Sequence, residues 1–150
     1  MDFHELIQTF NTRLGLDNEI NEEGIYPFEI DDLKFTIINL SENNQVAFLG
    51  DLGLPPTTEV YGFLLQSQYL FKNTNGATFS LDPDTGNIIL CQVLPLQLLD
   101  ANAFIALAEQ FVNTLEGWST ILKNYRPEPP ATSDHSSPSN AFFNNDILLV

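Results

Sequence analysis

Few residues in this chain have the type and spacing to do chemistry. Asp82-x-Asp84-x-Gly86 places two carboxylates ahead of a glycine, as the start of a calcium loop does. A helix-loop-helix calcium site needs further oxygen ligands and a bidentate Glu at its twelfth position, where this chain has Val93. With Pro83 and Gly86 in the same run, the plainer reading is a hairpin turn. Cys91, the single cysteine, lies among apolar residues with no cation nearby in sequence, and reads as a structural thiol. His4 falls in a helix and His135 in a Pro- and Ser-rich stretch, so neither has a catalytic setting. The acidic pairs Glu22-Glu23 and Asp31-Asp32 read as solvated turns. There is no Gly-rich phosphate loop, nucleophile elbow or Cys/His metal spacing. No catalytic residue, metal ligand or cofactor is therefore assigned, and an enzyme or calcium-dependent protein is the weakest reading.

Composition narrows the classes further. At 150 residues, with 43% hydrophobic residues and 12 Phe, the chain has the material for one packed domain. Twenty acidic residues against five basic ones give a formal charge of -15. That disfavours nucleic acid and anionic membrane as partners, since both are bound through Lys and Arg clusters. The same charge keeps a protein with sticky surface in solution and attracts basic partners. No apolar run is long enough to span a membrane, and Met1-Asp2-Phe3-His4-Glu5 lacks the basic start of a signal peptide. One cysteine suits a reducing compartment, so the expected location is the cytoplasm.

The elements that would position any site follow from periodicity. Phe3, Leu6, Ile7, Phe10 and Leu14 repeat at helical spacing, and Gly15 is placed to end that helix. Three strands are predicted over 25–30, 33–40 and 45–52, with turns at Asp31-Asp32 and Glu42-Asn43-Asn44. The second and third strands are apolar on both faces. One helix covers one face of a small antiparallel sheet, so the other needs either a partner or a second layer from the same chain. A second helix is predicted over 58–72, with Thr57 as its cap and charges only at Glu59 and Lys72. Tyr61, Leu65 and Tyr69 stack along one side of it, and Phe63 and Leu64 lie on another. A helix apolar on most sides is buried on most sides, and in a domain this small a subunit interface is the favoured explanation.

A hairpin over 77–81 and 87–94 follows, then a helix capped by Asp100 and running to about Tyr125. Residues 126–140 are Pro- and Ser-rich and read as a linker. The chain finishes with Ala141-Phe142-Phe143-Asn144-Asn145-Asp146-Ile147-Leu148-Leu149-Val150. An apolar segment after a polar tether either docks on its own domain or awaits a partner.

This order of elements resembles the class I type III secretion chaperones, the Tir chaperone family. Gly50-Asp51-Leu52-Gly53-Leu54-Pro55 carries the likeness at the end of the third strand. The run from Gly76 to Leu90, with its Asp82-Pro83-Asp84-Thr85-Gly86 turn, carries it at the hairpin. Leu94-Pro95-Leu96 and the following helix to Glu116-Gly117-Trp118 complete it. Gln68 departs from the Asn expected there, and residues 126–150 are not covered.

The resemblance implies an α+β fold in the order α-β-β-β-α-β-β-α, helices on a twisted antiparallel sheet, forming a homodimer over residues 1–125. It implies a chaperone that holds the N-terminal segment of a secreted effector in extended form, without ATP or cofactor, with the secretion ATPase as a further partner. The expected effector-binding residues are Leu6 and Phe10 of the first helix with Tyr26, Phe28, Phe35, Ile37, Val46 and Phe48 of the meander. The expected dimer interface is Tyr61, Phe63, Leu64, Leu65 and Tyr69. The rival reading is a regulatory adaptor on the same fold, whose client is a cytoplasmic regulator.

Overall fold

The structure, a computed structural model, describes residues 2–127. The order of elements is α1 (Phe3–Leu14), β1 (Ile25–Ile30), β2 (Leu33–Leu40), β3 (Gln45–Asp51), α2 (Val60–Ser67), β4 (Thr78–Leu81), β5 (Ile88–Pro95) and α3 (Ala101–Lys123). The linker beyond Pro127 and the apolar segment 141–150 lie outside the described residues.

Local chemistry sets most boundaries. Asp2 and Glu5 form a reciprocal capping box at the start of α1, and Gly15 closes it in the left-handed conformation at φ 65°. Asp31 and Asp32 both take positive φ, which lets a two-residue turn join β1 to β2. Asp100 caps α3 by accepting from the Ala103 N–H at 2.7 Å. The Asp82 carboxylate accepts from the Asp84 N–H at 2.8 Å, so the calcium-like spacing serves the turn's own backbone.

The five strands form one antiparallel sheet in the order β1-β2-β3-β5-β4. Cross-strand partners share a face. One face carries Tyr26, Phe28, Phe35, Ile37, Val46, Phe48 and Leu90, packed with Leu6, Phe10, Phe104, Phe111 and Leu115 of α1 and α3. Ile88, also on this face, packs with Val60 and Leu64 of α2 and with Trp118 and Leu122 of α3. All three helices therefore lie on the same side of the sheet. The remaining question, whether a helix of the same chain covers the second face, has a clear answer among the described residues: none does.

The second helix is shorter than its hydrophobic run. It ends at Ser67, whose hydroxyl bonds back to the Phe63 carbonyl at 2.7 Å. A 3-10 turn follows over Tyr69–Phe71, with Leu70 at φ 59° and Phe71 at φ 57°. Tertiary hydrogen bonds hold this departure in place. The Gln68 side chain accepts from the Phe79 N–H at 2.5 Å, Asn73 accepts from the Trp118 indole N–H at 2.9 Å, and Asn75 donates to Thr114 at 2.8 Å. Glu59 rather than Thr57 stands at the N-cap, and it makes no side-chain capping bond.

Candidate binding surfaces

The sheet face turned away from the helices is built from alternate residues of each strand. Its central rows, read across the register, are Ile25, Ile38, Ala47 and Val93, then Pro27, Thr36, Leu49, Cys91 and Thr78. A third row of Glu29, Lys34, Asp51, Ile89 and Ser80 borders them with charge. Ile38, Leu49, Ile89 and Cys91 are half-buried, and Val93 is 46% exposed. Burial raises the Cys91 thiol above its ordinary pKa, which disfavours the nucleophilic thiolate. This face offers apolar area and no reactive group.

The sheet edges are less open than bare strands would be. On β1, the Ile25 N–H donates to the Asn21 side chain at 2.8 Å, and Pro27 has no N–H to offer. On β4, the Phe79 N–H is taken by Gln68. Both edges are thereby blunted against casual strand pairing.

A second apolar region lies on α2 and the turn after it. Leu65 is 68% exposed, Tyr69 63%, Leu70 57% and Phe71 48%. Beside it, between α2 and α3, runs a groove lined by Phe63, Ser67, Asn73, Asn75, Thr114, Gly117, Trp118 and Ile121.

The residues expected from sequence to touch a client go elsewhere. Leu6, Phe10, Tyr26, Phe28, Phe35, Ile37, Val46 and Phe48 are all buried in the core of the subunit. Their side chains meet the helices, so in this conformation a client reaches none of them. Tyr26 shows the same setting chemically: its hydroxyl donates to Asn11, and burial lifts its pKa above the ordinary value. Of the expected interface residues, Leu65 and Tyr69 are exposed, Tyr61 and Phe63 are half-buried against the second core cluster, and Leu64 is buried within it. Leu70, Phe71 and Ile121, also exposed, were not among the expected residues. The signal for Leu70 and Phe71 was their uncharged setting beside Tyr69; the helical reading turned them to another side.

Among the described residues, three helices lie on one side of a five-stranded sheet and two apolar regions are exposed. The family model for the Tir chaperone protein (CesT) family matches residues 5–119, and the chain belongs to that family. Among curated proteins none matches significantly in sequence. Solved structures of similar fold include a chain of the ExsC-ExsE complex, 21% identical over 81% of this chain and 97% of that one, with TM-score 0.72. A chain of the HopA1-SchA chaperone-effector complex is 17% identical over 82% of this chain and 94% of its own, with TM-score 0.66. A chain from the Yersinia pestis type III secretion chaperone SycH in complex with a fragment of YscM2 is 20% identical over 81% and 99%, with TM-score 0.63. Among the described residues no helix is long and apolar enough to cross a membrane.

Proposed function

We propose that this protein is a cytoplasmic, non-enzymatic type III secretion chaperone that binds the N-terminal segment of a secreted effector and holds it unfolded. The observation that carries the reading is the apolar sheet face that the subunit's own helices leave open. An extended segment places alternate side chains on one side. Laid across Ile38, Leu49, Cys91 and Val93, it would bury them against its own apolar side chains. Because the edge amides at Ile25 and Phe79 are already bonded, side-chain burial on this face contributes more than added strand pairing. The charge of -15 favours basic clients and speeds their encounter.

Dimerisation belongs to the same proposal, and we place it on Leu65, Tyr69, Leu70 and Phe71. A twin copy there would remove four exposed apolar side chains from water and leave the open sheet faces for the client. The chaperone-effector complex among the structures of similar fold supports the reading by analogy of fold.

The test is titration calorimetry with the N-terminal segment of an effector co-purified from the native host. Leu49→Lys and Val93→Lys together should weaken binding at least tenfold while far-UV circular dichroism is unchanged. Undiminished affinity would remove the open face from the mechanism. Recovery of a cytoplasmic regulator in place of any secreted protein would favour the adaptor.

A further inference from the structure

We propose that the C-terminal segment 141–150 docks in the groove between α2 and α3 of its own chain. This inference concerns a different surface from the open sheet face and stands whether or not the chaperone reading holds.

The groove has a volume of about 280 Å³, room for more than one large side chain. Phe63, Trp118 and Ile121 supply apolar walls, Thr114 and Asn75 a polar margin, and no lining residue is charged. Gly117 leaves it open. A glycine inside a helix weakens it relative to alanine, and a Cβ at 117 would meet no atom within 4 Å. Packing among the described residues therefore does not require this glycine. The position leaves open space on α3 that another segment can approach closely.

The chain leaves the described domain beside this groove. The Tyr125 ring lies 5.4 Å from that of Phe63, at the groove's wall, and the described residues end two positions later. Residues 128–140 then separate it from Ala141. As a coil that tether spans about 20 Å, and fully extended about 45 Å, so the segment need only double back. A tether of this length holds the segment at an effective concentration in the millimolar range, which lets a weak site fill.

The segment's chemistry fits the lining. Phe142, Phe143 and Ile147 to Val150 are apolar, Asn144 and Asn145 suit a polar margin, and Asp146 is the only ionisable side chain. In a protein of charge -15, a segment with one charged side chain meets little like-charge repulsion on entering a groove whose lining is uncharged. A second copy would have to offer such a segment at far lower concentration.

Hydrogen exchange on the full chain tests the proposal. Amides of 141–150 should exchange at least tenfold more slowly than in a synthetic peptide of the same sequence, at every protein concentration. Gly117→Phe, which fills the groove, should return them to the peptide rate while β3 amides stay protected. Phe142→Ser with Phe143→Ser, beyond the described residues, should do the same if Gly117→Phe fails to fold. Peptide-like exchange in the native chain, or protection that survives groove filling, overturns the proposal. Protection that falls on dilution also overturns it, because the segment would then come from another copy.

Discussion

Gly50 sits on the helix-facing side of β3, where a Cβ would lie 2.3 Å from Leu115 Cδ1. Next to it, the Asp51 carboxylate accepts from the Gly53 N–H at 2.8 Å and from the Asn87 amide at 3.1 Å, tying the end of β3 to the start of β5. The Gly-Asp-x-Gly run that carried the family likeness is thus explained by packing and turn geometry. Gly50→Ala should lower stability by about 1–3 kcal/mol, the usual cost of overpacking a filled core. Urea unfolding would measure this, and Leu115→Ala in the same chain should recover part of the loss. An unchanged midpoint would mean that α3 shifts freely, contrary to its tight seating. The run was legible in sequence as a signature; its reason was not, because Leu115 is far along the chain. Gln68 teaches the same lesson. It departs from the family's Asn, yet its longer side chain reaches the Phe79 N–H and covers the edge of β4.

At the level of elements, propensity and tertiary bonds disagree over α2. The run from Thr58 to Lys72 has no Pro and no charge between Glu59 and Lys72, so helical spacing was the natural reading. The helix stops at Ser67 because Gln68, Asn73 and Asn75 gain partners on β4 and α3 that a continued helix would deny them. None of these contacts is visible in a local window. Leu70 and Phe71 adopt left-handed backbone as a result, at a cost of about 1–2 kcal/mol per non-glycine residue. Leu70→Gly should therefore stabilise the isolated subunit by about 1 kcal/mol in thermal or urea unfolding. A destabilised variant would show that Leu70 earns its conformation through packing. The other elements obeyed local rules: the capping box of α1, the Asp31-Asp32 turn and the Asp100 cap all lie where the residue types put them.

For the whole molecule, the distribution of apolar surface decides the behaviour. The helices share one side of the sheet, so among the described residues the second face is left uncovered and apolar side chains of the α2 region stay exposed. If copies pair through α2, stability should rise with protein concentration, as mass action requires. Leu65→Glu would bury an unpaired carboxylate at that contact and should shift the protein to monomer by light scattering. A variant that remains dimeric would move the interface away from α2. The same reasoning puts the proposed client surface on the open sheet face. The eight core residues were chosen for being large and apolar, and those properties made them the subunit's interior.

Element order, the β1-β2-β3 meander, the β4-β5 hairpin and the caps of α1 and α3 were legible in the sequence, because each depends on residues close together in the chain; the β3–β5 pairing was not, because its strands lie far apart in it. Alternation also revealed that two strands are apolar on both faces. Which face the helices take was decided only in three dimensions, since a period of two separates the faces without ranking them. Packing against α1, α2 and α3 turned one face into core and left the other without a covering helix among the described residues.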